Sequence, residues 1–227
     1  VPVPDYRKAL TGDIQGIKMG VIQEHMDSPN LDPEFRETVA KAISVLGEMG
    51  ASSEYTSIPL APNAGALTMS ILSVEWSNLH RKLFEENFKE LDHNNKIRFL
   101  TGSIIPAQFY YKAQKIRTAL RQQILEALEN VDVLVLPAGP VTAPLVESSP
   151  GIQSKDHALT GLTGRISFTG PFNLAGTPAL SVPCGFSSSG MPMGLQIVGR
   201  PFAEETVLKV AYAYEQNTDW RSRRPPI

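Results

Sequence analysis

The sequence predicts an α/β chain in which a sheet is sandwiched between helices, and three observations carry that prediction. Val131 to Leu136 reads VDVLVL and is closed by Pro137, the near-continuous apolar run expected of a strand covered on both faces. Several longer segments instead repeat their apolar residues at helical spacing. These helical segments alternate with short apolar runs along the chain, the pattern of a layered fold.

The elements follow in order. Residues 1–15, with prolines at Pro2 and Pro4, read as a linker-like lead-in to a strand over Ile17–Gln23. Asp32-Pro33 starts a helix, because the aspartate can accept an orphan backbone N–H and proline is tolerated at the first helical position. Phe35, Val39, Ala42, Ile43 and Leu46 form its apolar stripe, and Gly50 ends it. A short strand is expected at Tyr55–Ile58. From about Asn63, the series Leu67, Ile71, Val74 and Leu72, Trp76, Leu79, Leu83 predict a long helix buried on more than one side, so Met69, Trp76, Phe84 and Tyr110 are expected in the core. Asp92–Asn95 and Thr101–Ser103 are expected breaks.

A second long helix should start near Pro106, with Phe109, Ala113, Ile116, Leu120, Ile124 and Leu128 facing one way, and lead into the 131–136 strand. Ala138 to Gly176 is rich in Gly, Pro, Ser and Thr, which in a compact domain points to functional or wrapping loops. Strands at 179–184 and 194–198 are separated by a hairpin-like turn at Ser187–Pro192. Val207, Val210, Ala211 and Tyr214 mark a last helix. No internal repeat is visible.

Composition narrows the function classes. The chain has 227 residues, 42% of them hydrophobic, long enough for one large domain or two small ones and able to bury a substantial core. A formal charge of −2 supplies no clustered basic face for nucleic acid, and Arg221-Ser-Arg-Arg224 reads as a solvated tail. No apolar run reaches the ~18–20 residues of a membrane span, and no charged-then-apolar leader is present, so neither insertion nor secretion is expected. One cysteine cannot form an internal disulfide, which fits a reducing compartment and makes the cytoplasm the expected location. The opening Val1-Pro2-Val3-Pro4 is expected of a processed or truncated piece.

Generic catalytic motifs are missing: no Gly-x-Ser-x-Gly elbow, no P-loop, no Gly-x-Gly-x-x-Gly and no His-Glu-x-x-His. His25, His80, His93 and His157 are scattered singly, so neither a metal site nor a cofactor is expected. Cys184 closes a strand, where a free cysteine acts as a small buried hydrophobe rather than a nucleophile. Ser187–Ser189 reads as an ordinary turn.

Several blocks in fixed order carry a resemblance. Residues 4–21 (PDYRKALTGDIQGIKMGV), 111–117 (YKAQKIR), 131–144 (VDVLVLPAGPVTAP), 168–185 (FTGPFNLAGTPALSVPCG) and 193–205 (MGLQIVGRPFAEE) together resemble the C-terminal portion of the amidase signature family, from about Pro4 to Ile227. The resemblance implies an α/β/α fold with a mixed sheet shared between two halves, and amide hydrolysis through an acyl-serine. In that scheme a neutral lysine deprotonates the attacking serine through a second serine, and backbone N–H groups form the oxyanion hole. The family's Lys-Ser-Ser residues lie in a Gly/Ser-rich segment upstream of what matches here, so the expected catalytic residues within this chain are none. Lys8, Lys18 and Lys112 lack that context, and an exposed lysine is protonated at neutral pH.

What the resemblance implies for this half is a pocket. Arg117 matches a position that binds the charged end of substrate in glutamine-using members, where a guanidinium fork suits a carboxylate; a solvated stripe shared with Arg121 is the bland alternative. Arg165, Thr169 and Asn173 lie in one loop-to-helix segment and are expected to face the pocket, although Thr and Asn near Gly170 and Gly176 also suit caps and turns. Glutamine-using members carry an aspartate shortly before the Phe-Thr block, where this chain has Arg165-Ile-Ser-Phe, a departure that argues against glutamine. The expected partners are a small amide substrate and either the missing N-terminal half or a second copy, since strands left unpaired expose sheet edges. The alternatives are a non-catalytic binding or assembly module that keeps the distal half of the fold, and a thiol hydrolase built on Cys184.

Overall fold

The computed structural model describes residues 3–145 and 167–223. A single helical turn, α1 (Tyr6–Ala9), precedes β1 (Lys18–Ile22), a short α2 (Gln23–Met26), α3 (Pro33–Glu48) and β2 (Ser52–Thr56). Four helices follow: α4 (Ala64–Leu79), α5 (Arg81–Asn87), α6 (His93–Ile104) and α7 (Ala107–Asn130). The chain then forms β3 (Val133–Pro137), α8 (167–175), β4 (Ala179–Phe186), β5 (Pro192–Gly199) and α9 (Glu204–Gln216).

Among the described residues the strands form one sheet in the order β2-β1-β3-β5-β4. β1 is parallel to β2 and β3, whereas β5 is antiparallel to both β3 and β4, so the sheet is mixed. β3 is buried at every position, and its alternation feeds two separate cores. Val133 and Val135 join Met19, Val21, Leu195 and Ile197 beneath α3 and α9. Leu134 and Leu136 join Ile22, Val198 and the α7 stripe of Ala113, Leu120, Ile124 and Leu128 on the opposite face. The result is the helix–sheet–helix layering that the apolar run predicts. No helix of the described residues is long and apolar enough to cross a membrane.

The predicted punctuation of α3 is present. Asp32 accepts from the backbone N–H of Glu34 at 2.8 Å and of Phe35 at 3.2 Å, with Pro33 in the first turn. At the other end Gly50 takes φ 97°, the left-handed conformation that turns the chain, while Ala51 N donates to Leu46 O. The turn after β4 also holds: Ser187 N donates to Met191 O at 2.8 Å, and Glu34 accepts from Ser188 N at 2.6 Å.

Three expectations are corrected. The second strand occupies Ser52–Thr56 rather than Tyr55–Ile58; it is an edge strand, so its side chains stay exposed while Ile58 beyond it is buried. The helix expected from Asn63 through Leu83 ends at Leu79, because His80 leaves the helical conformation (φ −99°, ψ 15°) before α5 begins. Burial on several sides therefore fails at Leu72, Leu79 and Leu83, which are exposed. The 138–176 stretch ends in a helix, α8, in line with the loop-to-helix segment expected around Thr169 and Asn173. Thr101–Ser103 is not a break: α6 runs through it to Ile104.

Gly102 explains that last difference. A Cβ there would lie 2.0 Å from Ser73 O and 2.1 Å from Ser77 Oγ, so this glycine lets the α6 and α4 backbones touch. Ser77 Oγ completes the crossing by donating to Ser73 O at 2.7 Å or to Phe99 O at 3.0 Å. Alanine is the better helix former by about 1 kcal/mol, yet Gly102→Ala is expected to lower the melting temperature because the two helices must part. Thermal denaturation checks this, and an unchanged or raised midpoint would show a looser crossing than the contacts describe.

Candidate functional site

β1 and β3 run in the same direction, so their carboxyl ends lie side by side, the place where open α/β sheets take ligands. The chain leaves β1 into α2 and leaves β3 into the 138–143 loop. α8 closes this end of the sheet by entering both cores: Phe168 packs into one, and Phe172, Leu174 and Ala175 into the other. Between the 138–143 loop and Thr169 of α8 lies an open recess of about 300 Å³. The loop is pinned by Ala138 N donating to Gly194 O at 2.9 Å and by Asp32 N donating to Pro140 O at 2.8 Å.

α8 is held at both ends by side chains from other elements. The backbone turns away at Gly176 (φ 66°), whose N–H, like that of Thr177, donates to Phe172 O. The last carbonyls are orphans, as at any helix end. Arg117 Nε donates to Leu174 O at 2.7 Å, and Arg121 Nη1 donates to Ala175 O. The two arginines stand four residues apart on α7 and so share a face, and their charges oppose the negative pole of α8. Arg117 also donates through Nη1 to Gln114 Oε1 at 3.4 Å.

The first turn of α8 has a different need. Ser167 O would accept from the residue four positions on, but that residue is Pro171, which has no N–H. His25 supplies the missing donor from Nε2 at 3.0 Å, which places the proton of a neutral ring on that nitrogen. The ring is 3% exposed and meets Phe168 edge-on at 5.0 Å, with Nδ1 buried and unpartnered among the described residues. Burial lowers the pKa of His25, opposed by its bond to Ser167 and by the nearby Glu24 carboxylate, which is engaged by Ser57 Oγ and Ile58 N.

The predicted site residues are placed around this helix. Thr169 lines the recess, Asn173 is exposed one turn further along the same face of α8, and Arg117 is half-buried against the carbonyl that follows Asn173. Arg165 lies outside the described residues. Two residues that composition gave no reason to choose, His25 and Arg121, hold the same element; the available sequence signal was Pro171 opening a gap in a helical stretch. Among the described residues the recess lining offers only the hydroxyls of Thr142 and Thr169 as side-chain polar groups. Lys8, Lys18 and Lys112 are exposed and do not line it. Cys184 is buried in the core, where desolvation pushes its thiol up to about 12, the behaviour of a structural cysteine. Among the described residues no group of three His, Cys, Asp or Glu converges.

Two outcomes follow for α8. Because the folded-state pKa of His25 is depressed, the unfolded chain binds the proton more readily, so stability falls as pH drops below about 6.5 and through the folded value. His25→Gln keeps a donor for Ser167 O without titrating, and urea denaturation across pH is expected to show a shallower acid-side loss than the wild type. Arg121→Met leaves Ala175 O without its charged donor and is expected to cost about 1–2 kcal/mol, with faster amide exchange in α8 than in α9.

Comparison with known proteins places this architecture. The Amidase family profile matches residues 1–208. A glutamyl-tRNA(Gln) amidotransferase subunit of Geotalea daltonii is 36% identical across 100% of this chain, which covers 50% of that protein. The protein of the same description from Moorella thermoacetica is also 36% identical, again over 100% of this chain and 50% of its own length. The crystal structure of the corresponding glutamyl-tRNA(Gln) amidotransferase subunit from Thermotoga maritima superposes with a TM-score of 0.74 at 29% identity, over 92% of this chain and 44% of its own. The 6-aminohexanoate cyclic dimer hydrolase, at 21% identity, shares the fold with a TM-score of 0.83 over 100% of this chain and 50% of its own. The chain thus spans about half the length of these relatives. With the profile covering most of its residues and the sheet, layers and end-of-sheet recess in place, the chain belongs to the Amidase family.

Proposed function

We propose that this chain is the pocket-forming, C-terminal portion of an amidase that hydrolyses a carboxamide C–N bond through an acyl-serine, with the Lys-Ser-Ser set supplied by sequence outside these 227 residues. The observation that carries this reading is the recess itself. It stands at the carboxyl end of the parallel strands with a rigidly held wall, yet its described lining contains no amine, imidazole, thiol or carboxylate. Such a surface can shape and orient an amide; it cannot supply a base or a strong nucleophile.

In the proposed reaction the serine oxygen attacks the amide carbon, and the proton it loses passes through the second serine to the neutral lysine. The C–N bond breaks, the leaving nitrogen takes the proton, and water then hydrolyses the ester to release the acid. Thr169 and Asn173 present hydrogen-bonding groups along one face of α8. Arg117, beyond its bonds to Leu174 O and Gln114 Oε1, keeps further N–H groups for an anionic substrate end, the role the family resemblance implies for it. Several relatives are named as one subunit of glutamyl-tRNA(Gln) amidotransferase, so assembly with other subunits is part of the same proposal.

β4 supports a complementary half. It is one of the two edges of the described sheet, and its Val182 and Cys184 are buried beneath α9 while Ser181 and Pro183 on the other face remain exposed. A covering element is expected there, together with a strand along the edge, because an open edge invites pairing. The test is the intact mass of the natural protein with amide hydrolysis before and after a serine-reactive probe. A mass near twice the 24.8 kDa of this chain with probe-sensitive activity is expected. A native mass equal to this chain without hydrolysis would leave a non-catalytic binding or assembly module in its place.

A further inference from the structure

We propose that His25 is a positioning residue for the recess: its neutral ring holds the first turn of α8, and with it Thr169, whereas a proton on Nδ1 releases that turn and weakens amide binding. The inference rests on the reading of the recess as the amide site.

The two walls of the recess are fastened in different ways. Backbone bonds from Ala138 N to Gly194 O and from Asp32 N to Pro140 O pin the 138–143 loop, and neither titrates. Arg117 and Arg121 hold the last turn of α8 with guanidinium groups that stay charged at any ordinary pH. The first turn is held otherwise. Ser167 Oγ donates to Pro62 O at 3.4 Å, and Ser167 O accepts from His25 Nε2 at 3.0 Å. Thr169 stands two residues further on and is the residue that α8 contributes to the described lining. Of these fastenings, the imidazole is the one whose charge changes near neutral pH.

The surroundings of the ring suit one ring proton and not two. With Nε2–H given to Ser167 O, Nδ1 is buried and unpartnered among the described residues, so an N–H there would have no acceptor. Phe168 meets the ring edge-on at 5.0 Å and offers only an apolar contact. The charged group that acts on the ring is Glu24, on α2 itself, and its carboxylate already accepts from Ser57 Oγ and Ile58 N. Asp27, just beyond α2, is exposed. Among the described residues the elements packed against α2 add no further charge beside the ring. β3, the turn Ala61–Asn63 and α8 have no titratable side chain, and β1 has only the exposed Lys18 at its far end. Burial therefore outweighs the Glu24 attraction and keeps the ring neutral below its ordinary range. Once a second proton does bind, it is accommodated by the ring leaving its pocket. That movement breaks the bond to Ser167 O and the contact with Phe168 together, and the wall carrying Thr169 loses its hold.

The experiment uses the complete protein and whichever of butyramide, benzamide and glutamine it hydrolyses best, none of which changes charge between about pH 5 and about pH 7.5. Turnover is read as kcat and KM across that range, or binding by calorimetry where turnover is absent. Amide-exchange protection follows α8, and ring nitrogen resonances follow His25. In the wild type an Nε2–H tautomer is expected at the upper end. As His25 protonates, KM is expected to rise about tenfold, the effect of stranding one buried donor, in step with a loss of protection in α8. His25→Gln keeps an N–H donor for Ser167 O without titrating, so the ratio of its acid to neutral KM is expected to stay near one. His25→Phe fills the pocket without a donor and is expected to show a raised KM and low α8 protection at both ends of the range. The proposed lysine base is shared by all three proteins, so differences between their KM profiles isolate position 25. An Nδ1–H tautomer, or KM profiles of the same shape in the wild type and His25→Gln, would overturn the proposal and leave the amidase reading in place. A difference confined to kcat would do the same, as would a lowered melting temperature in the variants with an unchanged KM profile, the mark of a packing role alone. Neither binding nor hydrolysis of any of the three amides at any pH would overturn the reading of the recess itself, and the proposal with it.

Discussion

The double burial of β3 is the constraint from which the rest of the structure follows. A strand with Val133 and Val135 on one face and Leu134 and Leu136 on the other cannot leave either face to water, so each face requires its own helical layer. α3 and α9 meet one requirement and α7, with α4 and α8, the other. The strand's own exit is then forced into the space between the layers. That space, at the carboxyl end, is where the 138–143 loop and Thr169 enclose the recess.

A helix placed across the end of a sheet brings a second problem, which is polar. α8 presents carbonyls at its last turn that no helix can satisfy and, because of Pro171, one at its first turn as well. The structure answers with Arg117 and Arg121 at one end and His25 at the other. Those side chains come from α7 and α2, elements committed to the two sides of the sheet end. The wall of the recess is therefore registered against the whole layered assembly rather than against its neighbours in sequence. Function and polar satisfaction meet in Arg117, which caps a helix and, in the proposed reading, retains donors for a substrate.

Much of the fold was legible because hydrophobic periodicity is local. The stripe of α3, the stripe of α7 and the doubly apolar β3 could each be read within a window of a few turns, and each stands where its period put it except at Phe109, which the first turn of α7 leaves exposed. The misses share a cause. Thr101–Ser103 looked like a break because glycine weakens a helix in isolation, whereas Gly102 serves a contact with Ser73 and Ser77 from α4. β2 was displaced because an edge strand of polar residues carries no alternation to detect. For the site, the block resemblance pointed to Thr169 and Asn173, which lie on α8, and to Arg117, which reaches its last turn from α7. His25 and Arg121 carry no local signal of their roles, because their partners lie 142 and 54 residues away.

By itself, then, the sequence determined the layered α/β class and the helices that cover the sheet, since these depend on residue type and local period. Tertiary structure alone decided which polar groups meet. Whether Arg117 stands in solvent or on a helix terminus, and whether His25 is an idle imidazole or the donor that Pro171 cannot be, depends on carbonyls left unpaired by a distant segment. An unpaired backbone group is a property of folded geometry, and nothing in the local order of residues announces which side chain will reach it.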